Sequence, residues 1–321
     1  MSELLQIATS TAKRLFPGTA AVLSLLLVAH PSSGARKNGF VLDDALIPIR
    51  QILSGGPPRD GIPSIEQPRF VAAAEAGVRG TDRILGIERD GVAKAYPIAI
   101  LNYHEIVNDS FGDEPIVVTY CPLCGTGMAF LAAIAGERRM FGVSGLLYNS
   151  DVLLYDRNSE TLWSQLMLKA VAGPLKGTAL EMVTVSHTTW GDWRRRHPET
   201  RVLAEDTGFR RNYRDDPYPG YASSRRVIFP VSGRDRRYHP KERVVGLLVN
   251  GEAKAYPFIE LDRAGGVVVD VLGEQSVTVE FDAEHQTGRA VDEQGEELPI
   301  VIAYWFAWHA FYPKAEVFAA R

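Results

Sequence analysis

Cysteine is almost absent from this chain of 321 residues, which contains only Cys121 and Cys124. A zinc or iron–sulfur site built from four cysteines is therefore excluded, and so is a framework of several disulfides. The sequence also lacks a glycine-rich phosphate loop, a dinucleotide fingerprint, a serine nucleophile elbow and the His-Glu-x-x-His motif. These absences argue against the commonest nucleotide-binding and hydrolase chemistries.

An excess of positive charge is missing as well. The formal net charge is −4 and the isoelectric point is near 6.0, so there is no electrostatic case for a nucleic-acid partner or an anionic membrane surface. With 45% hydrophobic and 23% charged residues, the chain is long enough for one large domain or two medium ones. We expect the partner to be a small molecule or a metal-exchange protein.

The N-terminal segment has the pattern of an export signal. Lys13 and Arg14 precede an apolar core that is too short for a transmembrane helix of about 20 residues, and Ser33 and Ala35 suit a cleavage site. We therefore predict a signal peptide over residues 1–35, a periplasmic or extracellular location, and no stable membrane insertion after cleavage. An uncleaved tethering helix is the alternative.

An internal repeat is the clearest organisational signal. Arg83–Pro97 and Arg243–Pro257 match at a constant offset, and each predicts a hairpin that turns at Asp-Gly or Asn-Gly, followed by a short helix. Continuing the alignment places Asp282 opposite Cys121 and His285 opposite Cys124. We predict an α+β, β-rich fold with two such repeats and largely antiparallel sheets. The predicted division is a wrapping segment over 36–80, a first repeat with an insertion over 81–240, and a second repeat over 241–321.

The two cysteines lie in the segment Cys-Pro-Leu-Cys-Gly, directly after a predicted buried strand at Pro115–Tyr120. Pro122 and Gly125 suit a tight turn that points both sulfurs to one side. Covalent heme is disfavoured because Gly125 stands where the heme motif needs histidine. The following residues, Met128–Ala132, predict a strand, whereas a thioredoxin-like site would begin a helix. A metal knuckle, a disulfide and a redox pair all remain open.

His104 is the best candidate for a third metal ligand. If His104–Asn108 is a strand antiparallel to Ile116–Tyr120, its start lies beside Cys121, while Glu105 faces the other way and could support a ligand. A set of two thiolates and one imidazole suits copper or zinc, and we expect one such ion. The alternative is that His104 is a packed structural residue.

Polar side chains that follow the cysteines could complete a pocket. Tyr148 and Asp151 belong to a predicted turn between strands and are the candidate catalytic residues, with Asp151 orienting His104 or acting as a base. Trp163 and Gln165 are candidates for lining the pocket. The alternative interpretation makes Asp151 a turn cap and Trp163 a core residue.

Several motifs carry a resemblance to a known family. The sequence V-V-T-Y-C-P-L-C-G-T, with L-N-Y-H-E-I-V-N-D before it and F-G-V-S-G-L-L-Y-N-S-D and L-W-S-Q after it, resembles domain-of-unknown-function family 3179 of exported bacterial and archaeal proteins. The resemblance extends roughly over residues 44–318 and implies no particular activity. Three hypotheses follow: a metal-dependent enzyme of redox or lyase type, a metal-binding or delivery protein, or a structural domain with a Cys121–Cys124 disulfide.

Overall fold

Both predicted hairpins form, and they have the same strand register. In the computed structural model, Arg83–Arg89 pairs antiparallel with Val92–Pro97, and Arg243–Val249 pairs with Glu252–Pro257 in the corresponding way. The turn residues Asp90 and Gly91 have φ angles of 51° and 75°. A two-residue turn of this kind requires positive φ at both positions, which explains why the sequence has Asp-Gly there.

Five larger sheets are arranged as a propeller-like ring of five blades. The structure describes residues 34–321, so the predicted signal peptide lies outside the described residues except for its last two. The fold is β-rich with mainly antiparallel pairing, as the sequence predicts, but the sequence did not predict closure into a ring. None of the helices in this part of the chain is long and apolar enough to cross a membrane.

Each blade contains four or five strands, named below in their spatial order across the sheet. The first blade contains Ser186–Thr189, Arg83–Arg89, Val92–Pro97, Arg201–Leu203 and Phe70–Ala72. The second, which we call the thiol blade, contains Met182–Val183, Thr126–Leu131, Glu114–Cys121 and Ile106–Phe111. The third contains Lys169–Ala172, Leu162–Ser164, Asp151–Asp156, Phe141–Tyr148 and Ile52–Ser54. The fourth contains Ile300–Tyr304, Arg243–Val249, Glu252–Pro257 and Glu316–Val317, and the fifth Val267–Leu272, Gln275–Asp282, Thr287–Asp292 and Glu297–Leu298.

Smaller elements join the blades. Two short hairpins pair Arg36–Lys37 with Phe40–Val41 and Ala133–Ile134 with Glu137–Arg138, and Ile49–Gln51 forms a single 3₁₀ turn. The four α-helices of the described residues are α1 (Ile98–His104), α2 (Trp190–Arg196), α3 (Phe258–Arg263) and α4 (Trp305–Phe311). Helices α1 and α3 each begin directly after a proline that ends a hairpin, as predicted.

Two parts of the ring share the same order of elements. The first hairpin, α1 and the thiol blade match the second hairpin, α3 and the fifth blade in order and register. In the thiol blade Cys121 pairs with Thr126, and in the fifth blade Asp282 pairs with Thr287, each across a four-residue turn. Four of the five strands of the third blade lie between residues 141 and 172. The segment predicted to wrap the surface supplies edge strands to the first and third blades.

A buried amide connects the thiol blade to the third blade. The side chain of Asn108 donates to the carbonyl oxygen of Phe141 at 2.9 Å and accepts from the Phe141 amide at 2.7 Å. These two bonds satisfy one main-chain donor and one acceptor that the packing of two sheets would otherwise bury unpaired. At the other end of the Phe141–Tyr148 strand, the turn at Asn149–Ser150 contacts the cysteine turn, because the Ser150 carbonyl oxygen accepts from the Cys124 thiol.

Candidate metal centre

The cysteine turn is buried inside the ring. Cys121 is 1% exposed, Cys124 is fully buried, and both thiols are free. Gly125 closes the turn with a φ of 61°, and the ring of Tyr304 lies so close that a side chain at this position would collide with it. The thiol of Cys124 donates to the carbonyl oxygen of Ser150 at 3.3 Å. Both sulfurs therefore face the turn of the third blade.

Asp151 completes a compact group with the two thiols. One carboxylate oxygen of Asp151 and the two sulfurs all lie within 4.8 Å of one another, and all three residues are buried. Asp151 Oδ1 accepts from Gln165 Nε2 at 2.6 Å, and Gln165 Oε1 accepts from Thr119 Oγ1 at 2.7 Å. Within residues 34–321, Asp151 Oδ2 has no hydrogen-bond partner. One oxygen is thus held in place while the other is left for a ligand.

Burial disfavours the ionised form of each of these three groups. Burial raises the pKa of Asp151 to about 7, although the hydrogen bond from Gln165 acts in the opposite direction. It also raises the pKa of Cys121 and of Cys124, and the nearby Asp151 charge adds to both shifts. Two thiols and a carboxyl that resist ionisation in a dry site are the donors that a divalent cation would deprotonate on binding.

Glu105 is a further buried acid beside this group. It ends helix α1 in a left-handed conformation with a φ of 57°. Burial, followed by the charge of Asp151, raises the pKa of Glu105 to about 8, and the charge of Glu105 in turn raises the pKa of Cys121. The strand from which the orientation of Glu105 was predicted does not include this residue, because Glu105 caps helix α1 and the strand begins at Ile106.

The structure does not bring His104 into the metal-ligand group. The predicted strand over His104–Asn108 is wrong at its start, since His104 is the last residue of α1 and the strand begins at Ile106. The His104 ring hydrogen bonds with the carbonyl oxygen of Pro63 and the hydroxyl of Tyr213, both at 2.7 Å. Both ring nitrogens therefore have partners away from the sulfurs.

The other predicted pocket residues separate into two groups. Gln165 orients Asp151 through its amide and so belongs to the site. Trp163 is a core residue whose indole donates to Asp156 Oδ2 at 2.9 Å. Tyr148 packs edge-on against Phe311, with ring centroids 5.4 Å apart. Of these three side chains, Gln165 is the one that hydrogen bonds to Asp151 within residues 34–321.

The polar, tyrosine-rich loop over residues 210–221 supplies residues that sequence reasoning did not assign. Tyr221 donates to the carbonyl oxygen of Leu123 at 3.1 Å, within the cysteine turn. The ammonium group of Lys241 lies 3.7 Å from the centroid of the Tyr221 ring, and burial lowers the pKa of Lys241 to about 8. The only sequence signal that this loop contacts the cysteine turn was its density of tyrosines.

A second group of potential ligands lies on the matching turn of the fifth blade. Asp282 and His285, which align with the two cysteines, meet Asp192 of α2 with ligand atoms within 4.8 Å of one another. These side chains already have partners: Arg196 donates to Asp192 at 2.7 Å, and Arg195 contacts the His285 ring at 2.6 Å. Because Arg195 and Arg196 already contact these ligand atoms, the second group does not need a metal ion to compensate its charge.

The raised carboxyl pKa values predict an unusual dependence of stability on pH. Between about pH 4 and pH 7, Asp151 is ionised in the unfolded chain but protonated in the folded one, so folding becomes less favourable as pH rises through this window. Asn cannot ionise, so across this pH window the free energy of unfolding of Asp151→Asn should fall by on the order of 4 kcal/mol less than that of the wild type. Denaturant unfolding of the metal-free, reduced protein at several pH values measures it. Asp113→Asn, at an exposed turn, serves as the control. If the free energy of unfolding of Asp151→Asn depends on pH as that of the wild type does, the expectation is contradicted.

The fold and the site together define a class: a β-propeller-like protein with a buried centre of two thiols and a carboxyl at the end of one blade. The chain belongs to the family described as protein of unknown function (DUF3179), whose profile matches residues 59–315. No curated protein and no solved structure matches it.

Proposed function

We propose that this protein binds one zinc ion through Cys121, Cys124 and Asp151, and that the ion is the centre of a metal-dependent enzyme of lyase type. The observation that carries the proposal is the convergence of two thiols and a carboxylate oxygen within 4.8 Å in a buried site. Zinc held by three protein ligands keeps a fourth position for water or a substrate, which is the pattern of catalytic zinc sites.

The identity of the third ligand favours zinc over copper. Cu(I) prefers soft sulfur and imidazole donors, whereas zinc also accepts carboxylate oxygen. Because the third ligand is Asp151 and not His104, the argument for copper no longer holds. The bond from Gln165 to Asp151 supports zinc further, because ligating carboxylates are commonly oriented by a hydrogen-bonded neighbour.

Glu105 has the properties of a proton-transfer group for this centre. It is buried, its pKa is raised to about 8 by burial and then by the charge of Asp151, and its own charge raises the pKa of Cys121. A carboxyl whose pKa lies near the working pH can hold a proton and release it during a reaction. We propose that Glu105 exchanges a proton with a substrate that reaches the fourth position.

The competing functions have weaker support. A delivery protein needs an accessible knuckle from which the metal can leave, but both cysteines are buried. A purely structural disulfide gives no reason for two acids with raised pKa values to lie beside the thiols. Strongly shifted pKa values cluster at functional sites, and this supports the enzyme over the disulfide.

Metal content and thiol reactivity test the proposal directly. Purified under anaerobic, reducing conditions, the wild-type chain should bind one zinc ion, and both thiols should become unreactive toward a thiol reagent. Cys124→Ser should lose the ion. Retention of copper in preference to zinc would overturn the choice of metal. A metal-free chain with a stable Cys121–Cys124 disulfide would overturn the proposal.

The location of the protein is a separate proposal that rests on the first 35 residues alone. We propose that the chain is exported and functions in the periplasm or outside the cell, where a bound metal would protect the two thiols from oxidation. N-terminal sequencing of the protein from each cell fraction tests this. An intact N-terminus in the cytoplasmic fraction would contradict it.

A further inference from the structure

The centre of two thiols and a carboxyl is closed off from solvent. Cys121 and Asp151 are each 1% exposed, Cys124 is fully buried, and the neighbouring Glu105 is 7% exposed. A metal ion or a substrate can therefore enter only when one of the elements around the centre moves. The element that the fewest main-chain bonds hold in place is the one expected to open first.

Three sides of the centre are fixed by main-chain hydrogen bonds. The carbonyl oxygen of Cys124 accepts from the Tyr304 amide at 2.8 Å, which ties the cysteine turn to the fourth blade. Asp151 begins a strand of the third blade that is paired along its whole length with the preceding strand. The carbonyl oxygen of Glu105 accepts from the Tyr120 amide at 2.7 Å. None of these sides can open without breaking the pairing of the blades.

The fourth side is a long segment over residues 205–239, which contains no strand or helix. Main-chain bonds hold the chain just outside its two ends, from the Ala204 amide to Arg69 and from the Phe306 amide to Pro240. Between these points, in a stretch that the structure describes throughout, no main-chain bond joins the segment to the blades. Segments of more than about 15 residues without secondary structure are uncommon in compact domains, and many of them are active-site lids or binding loops.

Side chains fasten this segment beside the thiols and the carboxyl. The hydroxyl of Tyr221 donates at 3.1 Å to the carbonyl oxygen of Leu123, which lies between the two cysteines in sequence. The hydroxyl of Ser232 donates at 2.7 Å to the side-chain oxygen of Asn149, on the turn that precedes Asp151. These two contacts hold the segment over the cysteine turn and over the turn of the third blade.

A third contact lies beside the buried acid of α1. The Tyr213 hydroxyl and Nε2 of His104 lie 2.7 Å apart, and His104 directly precedes Glu105. The residue that the sequence suggested as a metal ligand therefore fastens the segment instead. Two more donors outside the segment, Tyr103 and Trp305, bond to its carbonyl oxygens.

The segment has little buried surface to hold it closed. Of residues 205–239, only Tyr213 and Tyr221 are buried, and both are among the residues that fasten it. Its other apolar side chains that pack against the core are half-buried. A part of the chain with few buried contacts and no ladder bonds to its neighbours opens at a lower free-energy cost than paired strands do.

We propose that residues 205–239 form a lid whose opening admits small molecules to Cys121, Cys124 and Asp151. The side-chain bonds from Tyr213, Tyr221 and Ser232 keep the lid closed. As the route of a substrate, the lid rests on the proposed zinc enzyme; as the route of any reagent to the thiols, it stands independently of zinc.

Reaction of the metal-free, reduced chain with dithiodipyridine, a small aromatic disulfide, tests the lid. Tyr221→Phe loses only the hydroxyl that bonds to Leu123, so the thiols should react about two- to tenfold faster than in the wild type, the effect of one lost hydrogen bond on opening. Ser232→Ala should act in the same direction. Tyr256→Phe is the matched control, because it loses a hydroxyl bond to Asp270 outside the lid. Its thiols should react at the wild-type rate.

The effect of urea distinguishes opening of the lid from unfolding of the whole chain. Opening of one segment exposes little surface, so at low urea concentration the rate should change little, whereas reaction through the unfolded state would follow the full urea dependence of unfolding. That second result would overturn the proposal, and so would equal acceleration by Tyr221→Phe and Tyr256→Phe. Wild-type rates in both Tyr221→Phe and Ser232→Ala would overturn it too. If the thiols react through local opening but the chain binds no zinc, the proposed metal fails and the lid stands.

Discussion

Replacing Asp151 with Asn should weaken zinc binding by at least about a hundredfold, whereas replacing His104 with Gln should leave it almost unchanged. Loss of a residue that only supports a ligand typically costs 10–100-fold in metal affinity, so loss of a ligand charge should cost more. Asn has nearly the same shape as Asp but removes the negative charge that compensates the ion. A competition titration with a coloured zinc chelator measures both affinities.

Variants of the neighbouring residues refine this result. Gln165→Leu should lower zinc affinity by about 10–100-fold, because Asp151 would lose the donor that orients it. His104→Gln tests the ligand predicted from sequence: its ring is bonded to Pro63 and Tyr213. A large loss of zinc in His104→Gln, with tight binding retained in Asp151→Asn, would restore the set of Cys121, Cys124 and His104.

Replacing Gly246 with Ala should lower the free energy of unfolding by about 3 kcal/mol or more. A Cβ atom at this position would lie 2.0 Å from Trp308, which is fully buried in α4. The indole has no room to move because the core is closely packed, and overpacking of this kind typically costs 1–3 kcal/mol, occasionally more. Gly86 has the same relation to Trp193 of α2, where the corresponding distance is 2.4 Å.

Denaturant unfolding of both alanine variants measures these costs. Gly77→Ala is the matched control, since a Cβ there meets nothing within 4 Å and should change stability by less than about 0.5 kcal/mol. Combining Gly246→Ala with Trp308→Leu should cost less than the sum of the single changes, because the smaller side chain makes room for the methyl group. Strict additivity would show that the glycine is required for a reason other than contact with the tryptophan.

These glycines show how the sequence repeat relates to the structure. Gly86 and Gly246 occupy equivalent positions in the two hairpins, and each lets a tryptophan from a short helix lie directly on the sheet. The close contacts with tryptophan explain why both copies of this segment have glycine at this position. The partner tryptophans lie far along the chain from their glycines, so their pairing could not be read from the repeat.

The sequence by itself determined the elements whose signals are local. The hairpins at Asp90–Gly91 and Asn250–Gly251, the short helices after Pro97 and Pro257, and the cysteine turn all follow from the φ preferences of a few adjacent residues. These local signals did not fix the point where the strand after α1 begins, which decides where His104 and Glu105 lie.

Only the tertiary structure decided which acid meets the thiols. Helix α1 continues through His104, and Glu105 takes a left-handed conformation, so the alternation of side chains assumed for a strand does not apply. His104 turns to Tyr213 and Glu105 lies beside the centre. Asp151 reaches the sulfurs because a different blade packs its turn over the cysteine turn. Such contacts depend on the packing of sheets distant in sequence, which no local pattern of residues specifies.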